Sequence, residues 1–313
     1  MVAGGGPALG YLFGLLGTLT LVKSASTLQA EQYLAPFARG EKICAFALSE
    51  PDAGTNSFNI KTTAVAEGGG FRINGNKWFI TNIDNSDALL LVAKTAPSGK
   101  EAVKSGSLSL FLIDLPNESL DYTPIPKHGF NYYKSNQLFI EDLFVPESAL
   151  VGTLGKGFAS LAPTLNAERL LVAAGSIGLA RLALSSAVLY ASERVVFDVP
   201  IGAHQAVQHP LAAAHARLES AWWTVRQAAA MEDQGDQSAH ATALANTAKY
   251  VAVEAAIDAC YHSLQAHGGA GYAREYHQER WWREVQLFRL APLTQQMTLN
   301  FIGQHVLGLP RSY

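Results

Sequence analysis

The chain has 313 residues, 49% of them apolar, and carries 23 Lys+Arg against 26 Asp+Glu for a net charge of −3. That length and apolar content suffice for one large or two to three ordinary domains with sizeable cores. A near-balanced charge without a like-charged run or a basic stripe argues against nucleic acid or any other polyanion as partner.

In chain order, the first feature is Tyr11–Val22, an apolar run of twelve residues broken by Gly and Thr. It is too short to span a bilayer and lacks the positive side chains that precede a secretory signal, so it reads as a buried helix. Ser26-Thr27 is placed to cap a helix over Leu28–Ala35, with Pro36 and Gly40 as its stop signals. Cys44 and Cys260 are far apart and lie in apolar surroundings. They read as reduced, buried thiols rather than a disulfide or metal framework, which points to a reducing compartment.

Beyond residue 40 the pattern turns to period two. Strands are predicted over Lys61–Ala66, Phe71–Asn74, Lys77–Thr81, Ala88–Ala93, Ser107–Ile113 and Gln137–Ile140, punctuated by Gly, Pro, Asn and Asp. After Gly157 the strands give way to Ala- and Leu-rich stretches with helical spacing at about 160–195, 204–234, 239–266, 276–288 and 293–306. Strands followed by helices indicate segregated domains rather than an alternating parallel sheet. The expected fold class is therefore α+β and multidomain: a partial N-terminal helical segment over 1–40, a middle antiparallel β-barrel or sandwich-like domain over 41–152, and a C-terminal four-helix bundle over 153–313.

Gly68-Gly69-Gly70 falls between two strands and reads as a hairpin turn, while Gly268-Gly269-Ala270-Gly271 follows a helix. Neither opens a helix after a strand, so nicotinamide-type dinucleotide binding is disfavoured. The nine histidines show no metal-ligand spacing, and no metal site is expected. Cys260 and His262, two apart on a helix, point away from each other and make no nucleophile–base pair.

Two segments are more specific. Phe46-Ala-Leu-Ser-Glu-Pro-Asp-Ala-Gly-Thr-Asn56 contains a Pro-Gly turn that exposes backbone N–H groups and the hydroxyls of Ser49 and Thr55. Asn76-Lys-Trp-Phe-Ile-Thr-Asn82 reads as a strand able to lay an aromatic ring on a planar group and aim a terminal hydroxyl at its polar edge. Together, in this order, they resemble the flavin-binding middle domain of the acyl-CoA dehydrogenases, and the similarity extends over about residues 28–313. Residues 1–40 then correspond to a remnant of the family's N-terminal helical domain.

The resemblance implies FAD as cofactor, with Phe46, Ser49, Thr55, Phe79 and Thr81 on the flavin side. Arg194-Val-Val-Phe197 with Gln205 is similar to the segment that holds the diphosphate and adenine of a neighbouring subunit's FAD. A guanidinium that forks onto phosphate and a ring that stacks suit that role. Gln265-Ala-His-Gly-Gly-Ala-Gly-Tyr272 is similar to a second signature, in which Gln265, Gly268 and Gly269 bring backbone close to the diphosphate. Thr294 and Gln296 match further FAD-contacting positions.

The family dehydrogenates an acyl-CoA between Cα and Cβ, which calls for one carboxylate base opposite one flavin. Where many members carry that base in Tyr-Glu-Gly-Thr, this chain has Leu290-Ala-Pro292-Leu-Thr294, and proline accepts no proton. A second group, similar to the isovaleryl and long-chain enzymes, carries the base on an early helix of the bundle. Leu165-Asn-Ala-Glu-Arg-Leu170 matches it, with Glu168 as base and Arg169 on the substrate side. Read without the resemblance, Glu168 is equally an exposed helix carboxylate or a partner for a buried Arg. Burial would raise its pKa and Arg169 would lower it, and the sequence leaves the balance open.

The resemblance further implies an acyl-CoA substrate, an electron-transfer flavoprotein as acceptor, a homodimer or homotetramer, no membrane span, and a cytoplasmic location or the mitochondrial matrix in a eukaryote. A flavin oxidase or monooxygenase on the same fold, and a non-catalytic flavin-binding subunit, stay open as alternatives.

Overall fold

A computed structural model describes residues 8–95 and 108–311. Contacts divide the chain into two compact units, one spanning residues 10–165 and the other running from 166 onward.

The first unit opens with helix α1 (Ala8–Ser24). Thr20 and Leu21 are buried but Val22 is 63% exposed, so among the described side chains this helix buries one side rather than its whole circumference. Ser26 caps the next helix through a capping box with Gln29, as the sequence suggests. That helix does not stop at Pro36. It runs from α2 (Thr27–Gln29) through a π-turn at Ala30–Leu34 into α3 (Ala35–Ala38), with proline in the first turn of α3. The wider π-turn accommodates a ring that would strike the carbonyl four residues back in a regular helix.

The sheet comprises β1 (Cys44–Ala47), β2 (Thr63–Glu67), β3 (Gly70–Thr81), β4 (Ala88–Thr95), β5 (Leu108–Asp114), β6 (Leu120–Pro124), β7 (Ser135–Pro146) and β8 (Leu150–Val151). Its order is β6-β7-β3-β2-β4-β5-β8, with β1 beside β4. Most pairs are antiparallel, but β1 and β2 each pair with β4 in parallel, so the predicted antiparallel domain is a mixed sheet. Central β4 explains the unbroken Leu89-Leu-Leu-Val92 run. Leu89 and Leu91 join one hydrophobic cluster, Leu90 and Val92 the other, and a strand covered on both faces shows no alternation. Gly68 and Gly69 form the predicted hairpin turn between β2 and β3, both at positive φ, where glycine pays no Cβ penalty. The two predicted strands Phe71–Asn74 and Lys77–Thr81 are one strand, β3, whose pairing with β7 shifts register at Ile73/Gly75 and again at Lys77/Ile80. The unit closes with α4 (Gly157–Leu161).

Three helices of 29 residues each, α5 (Leu165–Glu193), α6 (Gln205–Asp233) and α7 (Ala239–His267), build the second unit. Their buried positions are mostly small: Ala173, Gly178, Ala180 and Ala187 on α5, and Ala245, Ala248, Ala252 and Ala256 on α7. Small residues let helix axes approach closely. A hairpin of β9 (Val195–Val196) and β10 (Val199–Pro200), which the sequence reading missed, joins α5 to α6. The helix predicted at 276–288 is divided into α8 (Gln278–Val285) and α9 (Leu287–Leu290), and α10 (Gln295–Phe301) runs into a π-turn at Ile302–Val306. The stretch Gly157–Glu193 is long and apolar enough to cross a membrane by length and composition, yet 56% of its most apolar window is buried inside the protein, as in a core helix.

Candidate active site

In the first unit, the two sequence motifs are tied together by a buried ion pair that the sequence reading did not anticipate. Lys77 of β3 is fully buried, and its Nζ donates to Glu50 Oε1 at 2.9 Å and to Leu48 O at 3.0 Å. Glu50 also accepts from Thr62 N at 3.0 Å, Thr62 Oγ1 at 2.5 Å and Lys61 N at 2.5 Å. Burial pushes the Glu50 carboxyl up, but the Lys77 charge and these donors outweigh it and hold it below the usual range. Burial pulls the Lys77 amine down to about 8 against the pull of Glu50.

This clamp fixes the turn above β3. Trp78 N–H donates to Ser49 O at 2.8 Å and Ser49 Oγ donates to Trp78 O at 2.7 Å. The expected free hydroxyl of Ser49 is therefore committed to the backbone, because its loop is laced onto β3. Phe79 sits in the second register shift with φ +60° and is 56% exposed. A bulge re-aims a side chain that regular pleating would bury. Its ring lies 5.8 Å from that of Trp78, whose buried Nε1 has no partner among the described residues. Thr81 Oγ1 is 3.0 Å from Ser135 Oγ, Phe46 is half-buried on β1, and Thr55 is exposed.

In the second unit, Glu168 lies in the first turn of α5, only 8% exposed, and makes no hydrogen bond among the described residues. Burial pushes its carboxyl up to about 7, with the adjacent Arg169 guanidinium pulling the other way. The balance that the sequence left open thus falls to burial, and the exposed-carboxylate reading is excluded. Arg169 donates through Nη1 to Asn166 Oδ1 at 3.1 Å, and its Nε is buried without a partner.

Arg194 lies exposed just beyond α5, its N–H bonded to Tyr190 O at 2.9 Å. Phe197 and Asp198 turn the β9–β10 hairpin at φ +54° and +63°. A bulky residue rarely takes positive φ, and here that conformation presents the Phe197 ring 86% exposed. Gln205, at the start of α6, and Gln265, near the end of α7, are both exposed. After α7 the chain turns at Gly268, φ +57°, and neither Gly268 nor Gly269 has an atom within 4 Å of where a Cβ would stand. Gly271 differs: a Cβ there would lie 2.4 Å from Leu264 O. The first two glycines leave an open backbone cradle, and the third permits packing. Thr294 caps α10, its hydroxyl oxygen accepting from Met297 N at 3.3 Å, and Gln296 is exposed.

A groove of about 840 Å³ runs along α6 and α7, lined among others by Arg217, Tyr250, Glu254 and Asp258. It includes neither Glu168 nor Arg169, so cavity size does not locate the chemistry. Among the described residues no group of three or more His, Cys, Asp or Glu is arranged to hold a metal ion.

The β-unit carries a laced aromatic turn, the helical unit buries a carboxylate that makes no hydrogen bond among the described residues, and both units match one class of oxidoreductase acting on CH–CH bonds. The family description "Acyl-CoA dehydrogenase, middle domain" matches residues 45–143, and "Acyl-CoA dehydrogenase, C-terminal domain" matches 155–307. The chain belongs to the acyl-CoA dehydrogenase family of flavoprotein oxidoreductases. It is 40% identical to the acyl-CoA dehydrogenase FadE12 of Mycobacterium tuberculosis over 299 residues, 95% of this chain and 75% of that protein. It is 36% identical to the caffeyl-CoA reductase–Etf complex subunit CarC of Acetobacterium woodii over 278 residues, 88% of this chain and 72% of that one. The solved FAD complex of PigA superposes with a TM-score of 0.89 at 27% identity, covering 98% of this chain and 80% of PigA.

Proposed function

We propose that the chain carries out FAD-dependent α,β-dehydrogenation of an acyl-CoA thioester, with Glu168 as the base that takes the α-proton. One observation carries this reading. Position 292 is proline, and the carboxylate at 168 is buried, free of hydrogen bonds among the described residues, and raised to about 7. A general base works best with a pKa near the operating pH, and a carboxylate without donors keeps its lone pairs for a substrate proton. Arg169, with an unpartnered Nε beside that carboxylate, is assigned to hold the substrate.

The residues present suit FAD. Phe79 offers an exposed ring beside a locked turn, Trp78 an unpartnered N–H, and Thr81 a hydroxyl at the end of the same strand. Phe46 and Thr55 complete the loop side, while Ser49, its hydroxyl committed to Trp78 O, holds that loop against β3. Gly268 and Gly269 supply an open backbone cradle with Gln265 beside it, and Thr294 and Gln296 lie at the start of α10. When bound, FAD supplies the acceptor for the β-hydride. Arg194, Phe197 and Gln205 are assigned to a neighbouring subunit's FAD in a homodimer or homotetramer. The 86% exposure of Phe197 and 85% exposure of Tyr272 favour such shared use, because large rings left in water are costly outside an interface.

An electron-transfer flavoprotein is the proposed redox partner, in keeping with a relative that is a subunit of an Etf complex. That relative is named a reductase, which favours a second reading in which the same residues work in reverse and Glu168 returns a proton to Cα. A carboxyl near 7 is present in both protonation states at neutral pH and serves either direction.

Anaerobic titration of the FAD-loaded protein with a panel of acyl-CoA thioesters tests this reading. Bleaching of the oxidised flavin absorbance is expected in wild type and its loss in Glu168→Gln. Bleaching in both proteins would reject Glu168, and bleaching in neither would favour a non-catalytic subunit. Rapid O₂ consumption would indicate an oxidase. For the cradle, Gly269→Ala is expected to leave folding unchanged while weakening FAD retention, whereas Gly271→Ala, which meets Leu264 O, lowers the melting temperature.

A further inference from the structure

Among the buried ionisable side chains that the mechanism does not use is Lys249. It is fully buried on the face of α7 that otherwise presents Ala245, Ala248, Ala252 and Ala256. A lysine in such a place is costly unless its ammonium is well bonded. Its Nζ donates to Leu293 O at 2.8 Å and to Gln295 Oε1 at 2.9 Å. Gln295, itself buried, turns its Nε2 to Glu254 Oε1 at 3.0 Å and Tyr250 O at 3.3 Å, and Glu254 forms a two-pronged ion pair with Arg289. Both ends of this network bear on the connection between α9 and α10. Arg289 lies on α9, while Leu293 and Gln295 flank Thr294, the cap of α10.

We propose that Lys249 is a positioning residue: its buried ammonium latches the segment 291–295 onto α7 and so fixes Thr294 and Gln296 in the orientation in which they meet the cofactor. The inference rests on the FAD reading above. Turning Gln295 inward to the ammonium leaves Thr294 half-buried and Gln296 exposed, the pattern required of groups that face a ligand rather than the core. The latch also gives a physical role to a lysine in an alanine-rich face. Two bonds from a charged donor hold a four-residue connection that includes Pro292, which has no backbone N–H to contribute. Lys249 touches neither substrate nor reacting atoms in this assignment.

The test is titration of apo-protein with FAD, followed by flavin fluorescence and by the visible spectrum of the bound form, in wild type, Lys249→Met and the double variant Lys249→Met/Gln295→Leu. Loss of charge-assisted hydrogen bonds is expected to weaken FAD binding by about 10- to 100-fold in Lys249→Met and to blur the fine structure of the bound spectrum. The double variant relieves the stranded Gln295 oxygen, while Leu293 O stays without its donor and Glu254 loses the Gln295 amide, so its thermal melt recovers at most in part while FAD binding stays weak. Wild-type FAD affinity in the single variant, or recovery of affinity in the double, would overturn the latch. If the single variant does not fold, the double decides. Wild type that binds no FAD would instead remove the cofactor reading, and the latch with it.

Discussion

Glu50 in the first unit and Glu168 in the second are both buried close to a cation, and they have opposite fates. Glu50 accepts from Lys77, Thr62 and the Lys61 amide, and is held ionised below the usual carboxylate range. Glu168 has only the neighbouring guanidinium of Arg169, accepts nothing among the described residues, and rises to about 7. Burial alone therefore does not make a base. A carboxylate whose lone pairs are all spoken for is a structural rivet, and one that is buried with them free has the character proposed above for a base.

The largest effect that bears on this contrast is expected from Glu168→Gln. It should lower the rate of flavin bleaching by about 10²- to 10⁴-fold, the usual worth of a general base, with FAD content unchanged. Glu50→Gln should leave any surviving activity limited only by folding, so an equal loss of rate per folded molecule in both variants would break the comparison.

Stability should show the reverse order. Lys77→Met strands a buried carboxylate and should cost about 3–5 kcal/mol in urea unfolding. Glu50→Gln/Lys77→Met together should recover a large part of that loss. A cost below that of an exposed pair would mean that Glu50 is not riveted.

The two groups also separate by pH. The Glu168 carboxyl is raised from 4.5 to about 7 in the folded chain, so its contribution to stability is full below 4.5 and is lost as pH rises through about 7. The Glu50 carboxyl is lowered, so its contribution is present above 4.5 and disappears as pH falls through its folded value. Melting temperatures between pH 4.5 and 7 should lose the falling component in Glu168→Gln and keep it in Glu50→Gln. The same ionisation predicts that bleaching in wild type accelerates as pH rises through about 7, since only the carboxylate takes a proton.

The smallest expected effect is that of Thr62→Val, which removes one donor to Glu50 while keeping shape. It should cost about 1–2 kcal/mol and leave bleaching per bound FAD unchanged, a result read from parallel melts and titrations.

Much of this was legible in the sequence. The division into strands and then helices, the hairpin at Gly68-Gly69 and the long helices α5 to α7 follow from periodicity and turn chemistry, which are local. Family resemblance reached the Phe46–Asn56 and Asn76–Asn82 segments, and the proline at 292 directed attention to Glu168. The sequence also contained the signal for the hairpin at 195–200, a Val-Val and Val-Pro pair around Phe-Asp, but a two-residue strand is too short to register as a period.

What only the tertiary structure decided is which groups meet. Glu50 and Lys77 are 27 positions apart, and Lys249 and Gln295 are 46 apart. Spacing of that kind carries no periodic signal. The mixed character of the sheet and the commitment of Ser49 to Trp78 likewise arise from pairing across the chain. The pKa of Glu168 is the sharpest case. The sequence identifies its neighbour Arg169, and so the force that lowers it, but desolvation depends on everything packed around the carboxylate, and only the fold supplies that.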